Sequence, residues 1–424
     1  MNKKFFLLIF LLWSGFYLVG CEESTTILAE SPIEAVSNEN NALPDEKLSY
    51  IEAYLKTMTL EEKVGQVFMQ AFRYDTDNKR LTSLDENTKN KILKYHLGGV
   101  IFFSENIDTI DQTQRLIEAM QQVSRIPLFI SVDEEGGIVS RLNSSPNMPA
   151  TKLPGNKVLG DTENVAFAYK VGRLLGKELT SLGFNMNLAP VADVNTNPQN
   201  PVIGERSFGS DPHKTGEMVA QMVKGIQDEN ISAVVKHFPG HGDTSLDTHK
   251  EAVTLPHGIE RLKAVEFLPF KKGIEAGVDG VMLGHLLVPS ITSDSLPATF
   301  SWKVVDLLRN HLKYEKLIIT DALEMKAITK YWTPEEAAVL AFAAGADILL
   351  MPSSLEKAYE GLLKAVKEGR ITEERLNESV RRILNVKYDR GILMEQENLL
   401  NPQEVLGSDA HLQIVKDILE YHDR

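Results

Sequence analysis

Lys236-His237-Phe238-Pro239-Gly240-His241-Gly242-Asp243-Thr244-Ser245-Leu246-Asp247-Thr248-His249 gathers three histidines, two aspartates and a lysine into fourteen positions of a 424-residue chain that holds ten histidines in all. Such side chains are costly to bring together without a task, because each must be desolvated beside the others. Asp247 and His249 stand two apart, so an extended or turning backbone sets them on one side. A carboxylate touching an imidazole fixes its tautomer and favours the charged form, which makes His249 a proton donor usable near neutral pH. A zinc set drawn from His237, His241, Asp243, Asp247 and His249 is the competing chemistry. Pro239 and Gly240 count against it by denying the helical geometry of a well-spaced histidine pair.

The cluster follows Ile231-Ser232-Ala233-Val234-Val235, short and β-branched enough to read as a buried strand, and Pro239 and Gly240 stop any regular element after it. Eight apolar runs of this kind recur, at residues 65–69, 99–103, 127–132, 184–188, 233–235, 280–283, 317–320 and 346–351. Amphipathic windows at 111–124, 165–182, 214–229, 258–276 and 334–344 read as helices between them. Eight strands alternating with helices predict an α/β chain folded as a (β/α)8 TIM barrel. The polar residues agree with that choice by where they fall. Asp133, Asp193, Lys236, His237, His285 and Asp321 each stand at or just past the end of a run, the barrel face on which sites are built. An open doubly wound sheet also binds ligands at strand ends, but it does not converge eight contributions on one point. Past Met351, windows at 354–368 and 372–386 and a short helical tail are expected to complete a single catalytic domain over 44–424.

Met1-Asn2-Lys3-Lys4, the apolar run Phe5 to Tyr17 and Leu18-Val19-Gly20-Cys21 read as a signal peptide over 1–20 ending in a lipobox. Cys21, the one cysteine in the chain, is then the lipidation site, and no disulfide can form within the chain. Residues 21–43 read as the lipidated cysteine and a flexible tether. The expected location is extracytoplasmic, anchored by lipid to a bacterial cell membrane or outer membrane. Cleavage before Cys21 removes Lys3 and Lys4, taking the formal charge from −14 to −16, a surface unsuited to nucleic acid or anionic lipid. A monomer that needs no cofactor or metal is expected.

Four stretches carry a family resemblance, in the family's order. They are Val132-Asp133-Glu134-Glu135-Gly136-Gly137-Ile138-Val139-Ser140-Arg141, Asn200-Pro201-Val202-Ile203-Gly204-Glu205-Arg206-Ser207-Phe208, the Lys236 to His249 cluster, and Ile319-Thr320-Asp321-Ala322-Leu323-Glu324-Met325. Together they resemble glycoside hydrolase family 3 β-N-acetylglucosaminidases of the NagZ type, in a single-barrel lipoprotein form. The resemblance implies Asp321 as nucleophile, His249 as general acid/base and Asp247 as its partner. It implies Asp133, Arg141, Arg206, Lys236 and His237 as sugar-binding residues. The implied activity is removal of terminal N-acetylglucosamine from peptidoglycan-derived muropeptides through a covalent glycosyl-Asp321 intermediate. An aspartate ending a buried strand suits that attack, and the imidazole suits proton shuttling better than an ordinary glutamate. Glu134 and Ile138 stand where the family usually has Gln and Arg, and Glu134 and Glu135 are the carboxylates otherwise placed to act as acid. A β-glucosidase, an N-acetylglucosaminide phosphorylase and a non-enzymatic muropeptide-binding lipoprotein remain the alternatives.

Overall fold

Parallel strands covered on both faces need apolar side chains along their length, and each of the eight runs does contain a strand. In the computed structural model, which describes residues 44–244, 253–292, 296–394 and 400–423, they are β1 Phe68–Ala71, β2 Gly99–Phe102, β3 Phe129–Val132, β4 Met186–Asn187, β5 Ser232–Phe238, β6 Gly280–Leu283, β7 Leu317–Thr320 and β8 Leu349–Leu350. The segments read as leader and tether, with Cys21, lie outside the described residues, as do Asp247 and His249. All eight strands are parallel, and β8 pairs with β1 while β1 to β7 follow in chain order. A parallel bridge from Ile319 in β7 to Ile348 beside β8 closes the ring, so the expected (β/α)8 barrel is what forms.

Two expected boundaries moved for identifiable reasons. Residues 65 and 66 belong to a helix, Leu60–Gln66, because Thr59 and Glu62 form a capping box that starts it. The run 258–276 is two helices, Ile259–Ala264 and Phe267–Glu275. Pro269 has no N–H to give the carbonyl of Val265, whose backbone leaves the helical region at φ −126° and ψ −69°. The helix Val165–Leu182 matches its window; Asn164 caps its start and Gly183, at φ 97°, ends it.

Buried charges tie the last helices to the barrel. Asp347, fully buried ahead of β8, accepts from the Ile318 N–H at 3.0 Å and Ser379 Oγ at 2.6 Å. It also pairs with Arg309 at 2.6 Å and Arg382 at 3.1 Å. It thereby joins β7 and β8 to the helix Glu373–Asp389. Lys387 of that helix is wholly buried, with its Nζ 2.9 Å from Gln66 Oε1 and 5.0 Å from the centre of the Phe129 ring. The tail does fold back as a helix, Asp409–His422, against Val165–Leu182. Glu178 is the fastening: its carboxylate accepts from Thr151 Oγ1 at 2.6 Å and from the Gly407 N–H at 3.1 Å, and meets His411 Nδ1 at 3.0 Å.

Candidate active site

The strand ends surround a cleft of about 420 Å³ lined by Asp133, Arg141, Arg206, Lys236, His237 and Asp321 among others. Every expected sugar-binding residue and the expected nucleophile are therefore in one place. The register explains how. β5 runs on through Lys236 and His237 to Phe238, three residues beyond its apolar run, and the Lys236–His237 peptide is cis. Its pairing with β6 shifts between Val235 and Phe238, and both polar side chains reach the cleft.

At the floor, Lys236 Nζ lies 2.6 Å from Asp133 Oδ1 and 2.7 Å from Glu135 Oε1. Arg206 grips Glu135 with two parallel bonds, Nε to Oε2 at 2.9 Å and Nη2 to Oε1 at 2.8 Å. Arg206 thus pairs with Glu135 across the cleft and not with Glu205 or Asp211 nearby in sequence. Burial alone would raise the Glu135 carboxyl, but Lys236 and Arg206 hold it well below the ordinary range. Burial opposes the charge on Lys236 and Arg206 too; their carboxylate partners more than offset it and raise both.

Glu134 faces away from this network. Its Oε2 accepts the N–H groups of Arg141 at 2.8 Å and Leu142 at 3.0 Å, which folds the loop that carries Arg141 into the cleft. Burial pushes its carboxyl up to about 7 against those hydrogen bonds. Ile138, the other departure from the family pattern, is 71% exposed. Asp321 follows β7; its N–H donates to the Leu283 carbonyl and its Oδ1 accepts from the Ala322 N–H at 2.7 Å. His285 stands behind that turn, 3.0 Å from the Ala322 carbonyl through Nε2 and 2.7 Å from Thr299 Oγ1 through Nδ1. Burial pushes the His241 imidazole down, so this ring is neutral at ordinary pH. Asp243 meets both His257 and, at 3.6 Å, Arg261, which also lies 3.3 Å from the buried Glu266. That guanidinium already supplies positive charge to both carboxylates.

The mouth of the cleft holds residues that the sequence did not single out. Arg73 lies 4.0 Å above the Phe103 ring and pairs with Glu324 at 2.9 Å, and Arg141 approaches the same ring at 5.3 Å. Glu135 was legible as a carboxylate placed to act as acid, not as the partner of Lys236 and Arg206 that it proves to be. Arg73, two residues past β1, and Glu324, three past Asp321, gave no signal beyond their distance from a strand end.

The glycosyl hydrolase family 3 N terminal domain matches residues 59–386. The chain belongs to glycosyl hydrolase family 3. Within the family it is 32% identical over 399 residues to beta-hexosaminidase A of Pseudoalteromonas piscicida, covering 85% of this chain and 66% of that protein. It is 28% identical over 361 residues to a beta-N-acetylglucosaminidase/beta-glucosidase of Cellulomonas fimi, covering 83% of this chain and 61% of that one. The chain thus spans just under two thirds of the length of both relatives. Among solved structures, a family 3 beta-N-acetylglucosaminidase from Paenibacillus sp. FPU-7 superposes with a TM-score of 0.81 at 39% identity, over 86% of this chain and 69% of that one.

Proposed function

We propose that the protein is a retaining exo-β-N-acetylglucosaminidase that takes terminal N-acetylglucosamine from muropeptides or related β-glycosides. The observation that carries this reading is the charge network at the cleft floor, set beside Asp321. Lys236, Arg206 and Arg141 offer donors, and Asp133 and Glu135 offer acceptors, to a ring bearing hydroxyls and an acetamide. A floor sealed by ion pairs suits a chain end more than the middle of a polymer. The names of the relatives from Pseudoalteromonas, Cellulomonas and Paenibacillus support the choice of sugar.

Asp321 attacks the anomeric carbon, the bond to the aglycone oxygen breaks, and that oxygen takes the bond's electrons and a proton. Within the described lining, Asp133, Glu135 and Glu324 are each engaged in an ion pair with a lysine or arginine, and Lys236 and Arg206 hold the Glu135 carboxyl below its ordinary range. That supports assigning the proton to His249, oriented by Asp247. In the second half the same imidazole takes a proton from water as its oxygen attacks the glycosyl ester, and the Asp321 carboxylate is released.

The test is turnover of chromogenic N-acetylglucosaminyl and glucosyl substrates, with and without phosphate. Release from the first alone, unchanged by phosphate and lost in Asp321→Ala, is the expected result. Faster release from the glucosyl substrate turns the reading to a β-glucosidase, a glycosyl phosphate product turns it to a phosphorylase, and binding without turnover turns it to a sugar-binding lipoprotein. We also propose that the enzyme is a monomer held at a bacterial envelope membrane by lipid on Cys21. Incorporation of labelled palmitate in the parent and its loss in Cys21→Ser check the anchor.

A further inference from the structure

Asp193, beyond the end of β4, has no exposed surface and sits directly behind His237. Its Oδ1 accepts the backbone N–H of His241 at 2.6 Å, and the backbone N–H of His237 lies between its two oxygens, 3.2 Å from Oδ1 and 3.3 Å from Oδ2. Its Oδ2 lies 2.7 Å from His237 Nδ1. An ionised carboxylate only accepts, so Nδ1 must carry the ring proton. In the neutral ring Nε2 is then a lone pair, and it makes no hydrogen bond to a described residue. His237 lines the cleft beside Lys236, Arg141 and Arg206, all of which only donate.

We infer that Asp193 is a positioning residue that turns His237 into a hydrogen-bond acceptor, so that the cleft demands a donating hydroxyl at the sugar position this ring reads. The inference rests on the reading of the cleft as a sugar site, and adds to it a rule of specificity. A hydroxyl satisfies the rule, since it can donate to His237 and accept from a neighbouring cation. A fluorine at the same ring carbon accepts only, and faces a lone pair with a lone pair.

The environment of Asp193 also predicts how the rule can be reversed. In Asp193→Asn, the His241 N–H, 2.6 Å from the Oδ1 position, selects the amide oxygen for that place, which leaves the amide NH2 opposite Nδ1. The ring must then accept at Nδ1 and carry its proton on Nε2, becoming a donor toward the sugar. A role confined to structural support would leave the tautomer unchanged.

Two measurements on the whole protein test this. Ring nitrogen NMR of histidine-labelled protein should show His237 as the Nδ1–H tautomer in the parent and the Nε2–H tautomer in Asp193→Asn. Calorimetric binding of N-acetylglucosamine analogues, each with one ring hydroxyl replaced by fluorine, should reveal one position at which the parent binds at least about tenfold more weakly than it binds the unmodified sugar. That penalty should shrink about tenfold in the variant. An Nε2–H tautomer in the parent overturns the inference, and so does equal tolerance of fluorine at every position. If Asp193→Asn does not fold, the parent's tautomer and fluorine profile decide alone. The tautomer is read on ligand-free protein, so failure of N-acetylglucosaminide turnover overturns the proposed function without touching this measurement.

Discussion

Glu134 and Glu135 are neighbours and both are buried, yet burial pushes the first carboxyl up to about 7 while Lys236 and Arg206 hold the second well below its usual range. The two must shape stability in opposite ways. Glu134 releases its proton near 4.5 when unfolded and near 7 when folded, so the folded state binds more protons across that window and stability falls as pH rises through it. Glu134→Gln keeps an oxygen for the Arg141 and Leu142 N–H groups; it should flatten that slope and stabilise the protein above neutrality by up to about 3 kcal/mol, measured by urea unfolding as a function of pH. Glu135 contributes stability that is present above its unfolded value and is lost as pH falls toward its lower folded one. Glu135→Gln should cost on the order of 3–5 kcal/mol near neutrality, because Arg206 loses its carboxylate partner and the buried Lys236 keeps only Asp133. It should also lower kcat/KM at least about tenfold. At this scale the residue types were legible and their partners were not: nothing in the spacing of Arg206 and Glu135 says that they meet.

Among the elements, the join between β7 and β8 depends on a side chain. The two strands meet at the Ile319–Ile348 bridge, and Asp347 beside it binds an amide of β7 and cations from two helices. Asp347→Ala should cost about 3–5 kcal/mol by leaving the half-buried Arg309 and Arg382, the Ile318 N–H and the buried Ser379 hydroxyl without it. Hydrogen exchange at residues 317–320 should quicken first. The helix Glu373–Asp389 carries the opposite kind of feature, since burial pushes the Lys387 amine down to about 7. The unfolded chain holds that proton up to about 10.5, so stability should rise with pH between the two values. Lys387→Met should stabilise the protein at neutral pH and remove the rise. The apolar runs announced these elements because a buried parallel strand can hold little else. Their ends were less legible, since a capping box and a proline N–H deficit act within a few residues and override the hydrophobic pattern.

At the scale of the whole molecule, the tail is fastened to the barrel through Glu178, which gathers Thr151 from one distant segment and Gly407 and His411 from another. His411→Ala should lower stability by about 1–3 kcal/mol, seen in denaturant unfolding. Alternation of strand and helix, with polar residues at strand ends, was enough to foresee the barrel. It was not enough to foresee what closes the mouth of the cleft, because Arg73, Phe103 and Glu324 sit on three separate loops and none has a pattern of its own. The cleft lining pairs four cationic side chains, Arg73, Arg141, Arg206 and Lys236, with four carboxylates, Asp133, Glu135, Asp321 and Glu324, inside a chain whose formal charge is −14. Far from the surface an incoming molecule meets a negative field; within a few ångströms of the floor it meets a balanced one. Added salt screens the first over roughly 10 Å at 0.1 M and reaches the second far less. Raising ionic strength should therefore quicken the capture of a glycoside with an acidic leaving group and leave a neutral glycoside almost unaffected.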